Sequence, residues 1–164
     1  MPIYQRAYAW GEIECAQLWK DILRAGKDAQ IGAHFTGSVV HVEKATGTPT
    51  AAEPNLIIDG QQRVTTITLI LSALAQRLEE LPEDEREPMD GFSPRKIRTR
   101  YLLNDDEEGE RRFKLLLSQG DKAALIAIVQ GLEPVSDEAN RVVENFRFFQ
   151  ERAMVTNRLR GSCR

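Results

Sequence analysis

Residues 57–66, Ile-Ile-Asp-Gly-Gln-Gln-Arg-Val-Thr-Thr, contain the junction from which the expected architecture follows. The β-branched run at 55–59 predicts a short buried strand that ends at Gly60. From Arg63 to Leu81, apolar residues recur at the three- and four-residue spacing of a long helix. Five consecutive polar or glycine residues lie at this junction, where packing does not require them. We therefore expect a strand, one tight turn and a helix, with the functional groups on the turn.

The segments before this junction predict one more helix and one more strand. Residues 1–10 are aromatic-rich and predict an irregular, extended opening. Apolar periodicity predicts a helix over Glu12–Ala25 that ends at Gly26. The run His34–Glu43, with Gly37 inside it, predicts a strand with a glycine-marked irregularity. The apolar face of the helix is expected to pack on a sheet.

The segments after the junction complete an α+β domain. Residues 82–100 carry three prolines and an acidic, then a basic, charge run, which predicts an exposed loop. Residues 101–103 and 113–117 are strand-like, and Asp121 is placed to cap a helix that begins at Lys122. A terminal helix is expected over 136–159, with Ser136 as its cap.

Length and composition limit what this chain is expected to do. With 164 residues, 41% hydrophobic and 29% charged, it is expected to form one domain, 1–164, without room for a second, nuclease module. A net charge of −3 gives no general attraction to DNA, so nucleic-acid contact must come from a local patch. Cys15 and Cys163, with His34 and His41, offer neither a disulfide framework nor a structural metal site. No apolar run could span a bilayer and no signal peptide is present, so we expect a cytoplasmic protein.

The polar junction has the chemistry of a phosphate-binding site. The first N–H groups of a helix are unpaired and carry the positive end of its dipole, and Gly60 allows a ligand to approach the backbone. Arg63 adds a planar set of donors, and Asp59 is suited to hold Arg63, a metal ion or a ribose hydroxyl. Gln61 and Gln62 are suited to orient a water molecule or to contact a base.

An ordinary structural explanation accounts for the same residues equally well. In it, Asp59 caps the helix, Gly60 makes the turn and Arg63 is a solvated residue of the first turn. No Gly-Lys-Ser/Thr follows as in a Walker A loop, and the dinucleotide glycine pattern is absent. The residues alone therefore leave both interpretations open.

Three motifs, in the same order, resemble those of the GmrSD-type DGQQR family of prokaryotic domains. Ile58–Arg63 resembles the motif after which the family is called. Pro2–Arg6, followed by Tyr8 and Trp10, resembles its opening, and residues 34–40 resemble its middle strand. The resemblance is strong over the first half of the chain and weaker afterwards, and the valine after the motif stands where leucine is usual.

This resemblance implies a ParB/sulfiredoxin-like α+β fold, in which a small mixed sheet is flanked by helices and the C-terminal part is helical. It implies a restriction system that defends against phage with modified DNA, in which this domain binds and hydrolyses a nucleoside triphosphate with Mg²⁺. Hydrolysis would gate an HNH-type nuclease domain or subunit. The partners implied are thus the nucleotide, modified DNA and that nuclease, and no membrane. We expect the chain to be truncated at its C-terminus and not to be a nuclease on its own.

The resemblance also assigns residues to the site. The catalytic residues implied are Asp59, Gln61, Gln62 and Arg63, and the nucleotide-binding residues implied are Tyr4, Gln5, Arg6, Gly60 and Thr65. Arg63 and the helix N–H groups are expected to stabilise charge on the phosphoryl group, and a glutamine to orient the attacking water. Asp59 is expected to bind Mg²⁺ or to fix Arg63. The expected DNA contacts are Tyr4, Gln5, Arg95 and Lys96.

Other interpretations stay open beside this one. The same site could bind nucleotide or DNA without turnover, as a sensor or an inactive truncated remnant, and the helix over 136–159 could serve assembly with a partner. Tyr4, Tyr8 and Trp10 are suited to stack on a base, or to clamp an extended segment onto the core. His34 has no evident catalytic partner, so we expect a structural role for it.

Overall fold

The computed structural model describes residues 6–28, 33, 35–42, 55–134 and 140–161, the side chains of 119 and 155–161 excepted. Its main elements are α1 (Glu12–Lys27), β1 (Val40–Val42), β2 (Leu56–Asp59), α2 (Gln61–Glu79), α3 (Pro94–Ile97), α4 (Gln119–Gln130) and α5 (Arg141–Gly161). Turns of 3-10 helix at Glu83–Glu85 and Gly109–Arg112, and a π-helical turn at Arg98–Leu102, lie between them. The α+β class expected from the sequence is confirmed.

The core forms where α2 packs against α5, and α3 and α4 also pack on α2. Its large, fully buried side chains include Leu69, Ile97, Leu125 and Phe149. Burial of such a side chain stabilises a fold by about 1.5–3 kcal/mol relative to exposure. The packed helices therefore fix the position of α2 and, with it, of the turn between β2 and α2.

The two strands form an antiparallel pair in which Val40 lies opposite Asp59. The expectation of a buried strand at 55–59 was wrong, because Leu56 is only half-buried and Ile58 is exposed. Among the described elements, the strands pack mainly on each other, and α1 packs on α5 instead of on this sheet. The ParB/sulfiredoxin-like sheet implied by the resemblance stays a prediction.

Two elements of the N-terminal half differ in length from those expected. Of the strand expected at 34–43, the described residues form only β1, and residues 35–39 before it are not in a strand. Gly37 has φ of 101°, a left-handed conformation that interrupts an extended strand. Gly26 does not end α1, because the helix continues to Lys27 and the Asp28 N–H still bonds the carbonyl of Arg24.

Strands were also expected at 101–103 and 113–117, and this expectation was wrong. Arg98–Leu102 forms a π-helical turn, and in the described part of these runs only an isolated bridge between Leu103 and Phe113 forms. Leu102 and Leu103 are buried in the helical core, so tertiary packing overrides their local β preference.

The segment 82–100 is exposed as expected from Pro82 to Asp90, but its second part is not a loop. Ser93 caps α3 by accepting a hydrogen bond from the Lys96 N–H. Ile97 of this short helix is fully buried against the core. The second half of the segment is therefore part of the packed domain.

The last two helices begin differently from the prediction. Asp121 does not cap α4 but lies inside its first turn, where its carboxylate accepts a hydrogen bond from the Tyr8 N–H. At the start of α5, the side-chain oxygen of Asn140 accepts a hydrogen bond from the Val142 N–H at 2.9 Å. Ser136, the expected cap, lies outside the described residues.

Candidate functional site

The turn between β2 and α2 is built around Gly60. Its φ of 88° is the left-handed conformation that glycine adopts without strain. A Cβ at this position would lie 3.0 Å from the carbonyl oxygen of Ser38 and 3.0 Å from Cγ2 of Val39. The missing side chain thus allows the chain's own segment before β1 to approach the turn closely.

The first turn of α2 offers its N–H groups without a side-chain cap. Among the described residues, no side chain accepts a hydrogen bond as an N-cap, and no acidic residue lies in the first turn of this 19-residue helix. By contrast, α1 carries Glu12 and Glu14 in its first turn and α4 carries Asp121. The positive end of the α2 dipole is therefore not offset by an acid of its own first turn.

Arg63 lies beside this first turn, held by the segment before β1. Its Nη1 donates a hydrogen bond to the carbonyl oxygen of Ser38 at 3.0 Å. The guanidinium also lies directly over Gly37, where any Cβ would overlap it. The backbone of residues 37–38 therefore holds the guanidinium of Arg63, which is itself a residue of the first turn of α2.

Asp59 ends β2 and has an exposed side chain. The described ion pairs do not include one between Asp59 and Arg63, so Asp59 does not fix Arg63 in this conformation. Its carboxylate is of the oxygen type that Mg²⁺ prefers, and Mg²⁺ commonly uses one or two protein carboxylates together with phosphate oxygens. Asp59 therefore has the chemistry to hold such an ion.

The two glutamines of the motif are both engaged by the protein itself. The Oε1 of Gln62 accepts hydrogen bonds from the N–H groups of Ala9 at 2.8 Å and Trp10 at 3.2 Å. Its Nε2 donates to the carbonyl oxygen of Ala7 at 3.2 Å. Gln61 Nε2 donates to the carbonyl oxygen of Ile57 at 2.6 Å. Gln62, one of the two glutamines expected to orient water, therefore holds the N-terminal segment in this conformation.

Tyr8 anchors the same segment in the core. Its side chain is 5% exposed, and its hydroxyl contacts Thr66 Oγ1 at 2.7 Å and Asn145 Nδ2 at 3.0 Å. The Thr66 hydroxyl donates its proton to the Gln62 carbonyl oxygen at 2.8 Å, so Tyr8 must be the donor to Thr66. A directed chain of hydrogen bonds therefore runs from Asn145 through Tyr8 and Thr66 to the first turn of α2.

Burial shifts the acidity of this cluster. Desolvation raises the pKa of Tyr8 well above that of an exposed phenol, although the hydrogen bond with Thr66 acts in the opposite sense. Burial likewise raises the pKa of the Cys15 thiol, whose Sγ lies 3.6 Å from the Tyr8 hydroxyl. Both groups are therefore neutral structural groups near pH 7. Two interpretations of Tyr8 were open, stacking on a base and holding the extended N-terminal segment on the core. The structure shows the second.

Not every residue expected at the site lies there. Thr65 is 1% exposed, so it does not face a ligand in this conformation. Arg6 is exposed and directly precedes the anchored segment. Tyr4, Gln5 and His34 lie outside the described residues.

Arg95 and Lys96 lie on α3, near the opposite end of α2. Lys96 Nζ pairs with Glu87 at 2.6 Å, and this hydrogen bond raises the pKa of the lysine. Arg95 lines an open groove of about 600 Å³ together with acidic residues such as Asp105. The DNA contact expected here stays a prediction, and the groove is separate from the β2–α2 turn.

The residues that the sequence analysis missed are Cys15, Thr66, Asp121 and Asn145, which surround Tyr8. They come from four different helices, so no local pattern connects them. Within the described ranges, no group of three or more histidine, cysteine, aspartate or glutamate side chains is arranged to hold a metal ion. None of the described helices has both the length and the apolar character needed to cross a membrane.

Comparison with known proteins agrees with the motifs. The sequence model described as "GmrSD restriction endonuclease, N-terminal domain" matches residues 1–160. A search of curated proteins found no match. Since the family model covers nearly the whole chain, the chain belongs to the family of GmrSD restriction endonuclease N-terminal domains.

Proposed function

We propose that the turn from β2 to α2 binds the phosphates of a nucleoside triphosphate. Membership of a restriction endonuclease family supports a role in a restriction system that acts against phage DNA. Within such a system, the nucleotide would control a nuclease domain or subunit that acts on modified DNA.

The observation that carries this proposal is the uncapped first turn of α2 with Arg63 beside it. The N–H groups of this first turn, the positive end of the helix dipole and the guanidinium of Arg63 belong to one turn, and all three favour a phosphate. Asp59, exposed at the end of β2, would hold Mg²⁺. That ion would neutralise phosphate charge when bound.

Hydrolysis is the proposed activity of this site. Phosphoryl transfer depends mainly on positioning and on stabilisation of charge, so amide groups and an arginine are chemically sufficient. Arg63 and the first-turn N–H groups would stabilise the charge on the transferring phosphoryl group. Gln61, which lies on the strand side of the turn, is the better placed of the two glutamines to orient water, because Gln62 is occupied by the N-terminal segment.

A second function is favoured by the same glutamine contacts. Both side-chain amides are bound to the backbone, and a water-orienting role would require at least one of them to rearrange. Binding of nucleotide without turnover requires no such rearrangement. The domain would then act as a sensor that changes its contacts with a partner when nucleotide is bound.

Release of inorganic phosphate from ATP, GTP, CTP and UTP tests the proposal, measured with Mg²⁺ and with or without DNA. We expect Arg63→Ala to lower turnover by about a hundredfold or more, the usual effect of removing a charge-stabilising donor. Arg147→Ala, which removes an exposed arginine of α5, is the matched control and should leave turnover unchanged.

Thermal shift with the same nucleotides separates the two functions. A ligand that binds only the folded state raises its stability by mass action. A shift that Arg63→Ala abolishes, in the absence of phosphate release, would support the sensor. If the unmodified protein shows no phosphate release and no thermal shift, nucleotide binding at this turn is refuted.

A further inference from the structure

We propose that Gln62 is a positioning residue, which attaches residues 7–10 to the start of α2 and thereby brings Arg6 to the phosphate site. This inference rests on the proposed function and deepens it. Gln62, the second glutamine of the motif, would support phosphate binding by positioning Arg6. It would not itself orient the attacking water or contact a base.

The side-chain amide of Gln62 is occupied at both ends. Its oxygen accepts from two successive N–H groups, those of Ala9 and Trp10, and its nitrogen donates to the Ala7 carbonyl. A glutamine amide has one oxygen that accepts and one NH₂ group that donates, and in Gln62 both groups bond to this segment. The amide cannot turn toward a ligand without releasing the segment.

A second connection joins the same turn to the same segment. The backbone carbonyl of Gln62 accepts the proton of Thr66, and Thr66 accepts the proton of Tyr8. Side chain and main chain of one residue are therefore both tied to residues 7–10. Because Tyr8 is almost fully buried, this attachment is anchored in the core and not only at the surface.

Arg6 is placed by this attachment. It immediately precedes Ala7, whose carbonyl oxygen lies 3.2 Å from Gln62 Nε2, so the chain directly after Arg6 lies against the side chain of a first-turn residue of α2. Its side chain is exposed, and no described ion pair involves it. A second guanidinium near Arg63 would complement the several charges of a triphosphate.

Binding of phosphate and attachment of the segment should therefore support each other. A ligand that accepts hydrogen bonds from the first-turn N–H groups orders the turn from which Gln62 reaches the segment. The ordered segment in turn holds Arg6 where the ligand binds. By linkage, each event strengthens the other by the same factor.

A double-mutant cycle on the full chain tests this role. The probe is inorganic triphosphate with Mg²⁺, the part that all nucleoside triphosphates share, and its affinity is measured by calorimetry. Gln62→Met keeps the length of the side chain without its hydrogen bonds, and Arg6→Ala removes the guanidinium. Gln130→Met is the matched control, since Gln130 is an exposed glutamine at the end of α4.

We expect each single substitution to weaken triphosphate binding by about tenfold, and the double variant to lose no more than either single, because coupled residues are not additive. Losses that multiply to about a hundredfold would overturn the proposal, since the two residues would then act independently. Binding by Gln62→Met that equals that of the unmodified protein would also overturn it.

Amide hydrogen exchange without ligand tests the attachment separately. In Gln62→Met, the amides of Ala9 and Trp10 should exchange about three- to tenfold faster, as expected from the loss of one net hydrogen bond each. Gln62→Glu should restore part of their protection, because a carboxylate accepts from both N–H groups but has no proton to donate to the Ala7 carbonyl. Unchanged exchange in Gln62→Met would overturn the attachment. Failure of the unmodified protein to bind triphosphate would instead overturn the proposed function and, with it, the role of Arg6.

Discussion

We expect Tyr8→Phe to destabilise the domain by about 2–4 kcal/mol while leaving its fold intact. The hydroxyl that is removed donates to Thr66 Oγ1 at 2.7 Å and accepts from Asn145 Nδ2 at 3.0 Å. Loss of a buried hydrogen bond costs about 1 kcal/mol net, and a buried donor left without a partner costs about 1–3 kcal/mol more. Asn145 Nδ2 keeps its bond to the Trp10 carbonyl at 2.7 Å, so one of its two N–H groups is the donor left unpaired.

Urea and thermal unfolding measure this change. In a chain of this size, 1 kcal/mol corresponds to roughly 2–4 °C in Tm, so the expected fall is roughly 4–16 °C. Tyr101→Phe is the matched control, because Tyr101 is 43% exposed, and it should change the free energy of unfolding by no more than about 0.5 kcal/mol. Equal losses in the two variants would refute the assignment of Tyr8 as the anchor of the N-terminal segment.

Two further predictions concern the turn and the pH dependence of stability. Gly60→Ala should destabilise the protein by about 1–3 kcal/mol more than Gly91→Ala. Both glycines have positive φ, but a Cβ at Gly60 would lie 3.0 Å from the Ser38 carbonyl oxygen, whereas at Gly91 it would meet nothing within 4 Å. Similar losses on urea unfolding would contradict this close approach. Stability should also fall as the pH rises, because the folded state holds the protons of Tyr8 and Cys15 above the pKa values of the unfolded chain. Their stabilising contribution is complete below those unfolded values and declines above them by up to about 1.4 kcal/mol per pH unit for each group. Tyr8→Phe should therefore flatten the fall in the free energy of unfolding between about pH 10 and pH 12, and an unchanged slope would count against a buried, neutral Tyr8.

The β2–α2 junction could be predicted from the sequence because its causes are local. A β-branched run, a glycine that tolerates positive φ and a period of 3.6 residues each act within a few positions. The structure accordingly has β2 ending at Asp59, Gly60 at φ of 88° and a long helix after it, although α2 spans Gln61–Glu79 instead of the predicted 63–81. The α+β class follows from the same kind of evidence.

Burial and strand length could not be predicted as well, because they depend on what packs against a segment. Ile58 belongs to an apolar run that is typical of a buried strand, yet it is exposed, since the described helices pack mainly on one another. Leu102 and Leu103 differ in the opposite way. Their local pattern is strand-like, yet they are buried in the core of a helical region. In both cases tertiary contacts outweigh local preference.

The amino-acid sequence alone was enough to predict a candidate site at residues 59–63 and the phosphate-binding chemistry proposed for it. It could not say which polar side chain faces outward and which holds the protein together. Gln62 meets backbone groups more than fifty positions away, and the Tyr8 N–H meets Asp121, 113 positions along the chain. The physical reason is that a buried polar group must find a hydrogen-bond partner, and the packing of whole helices selects that partner.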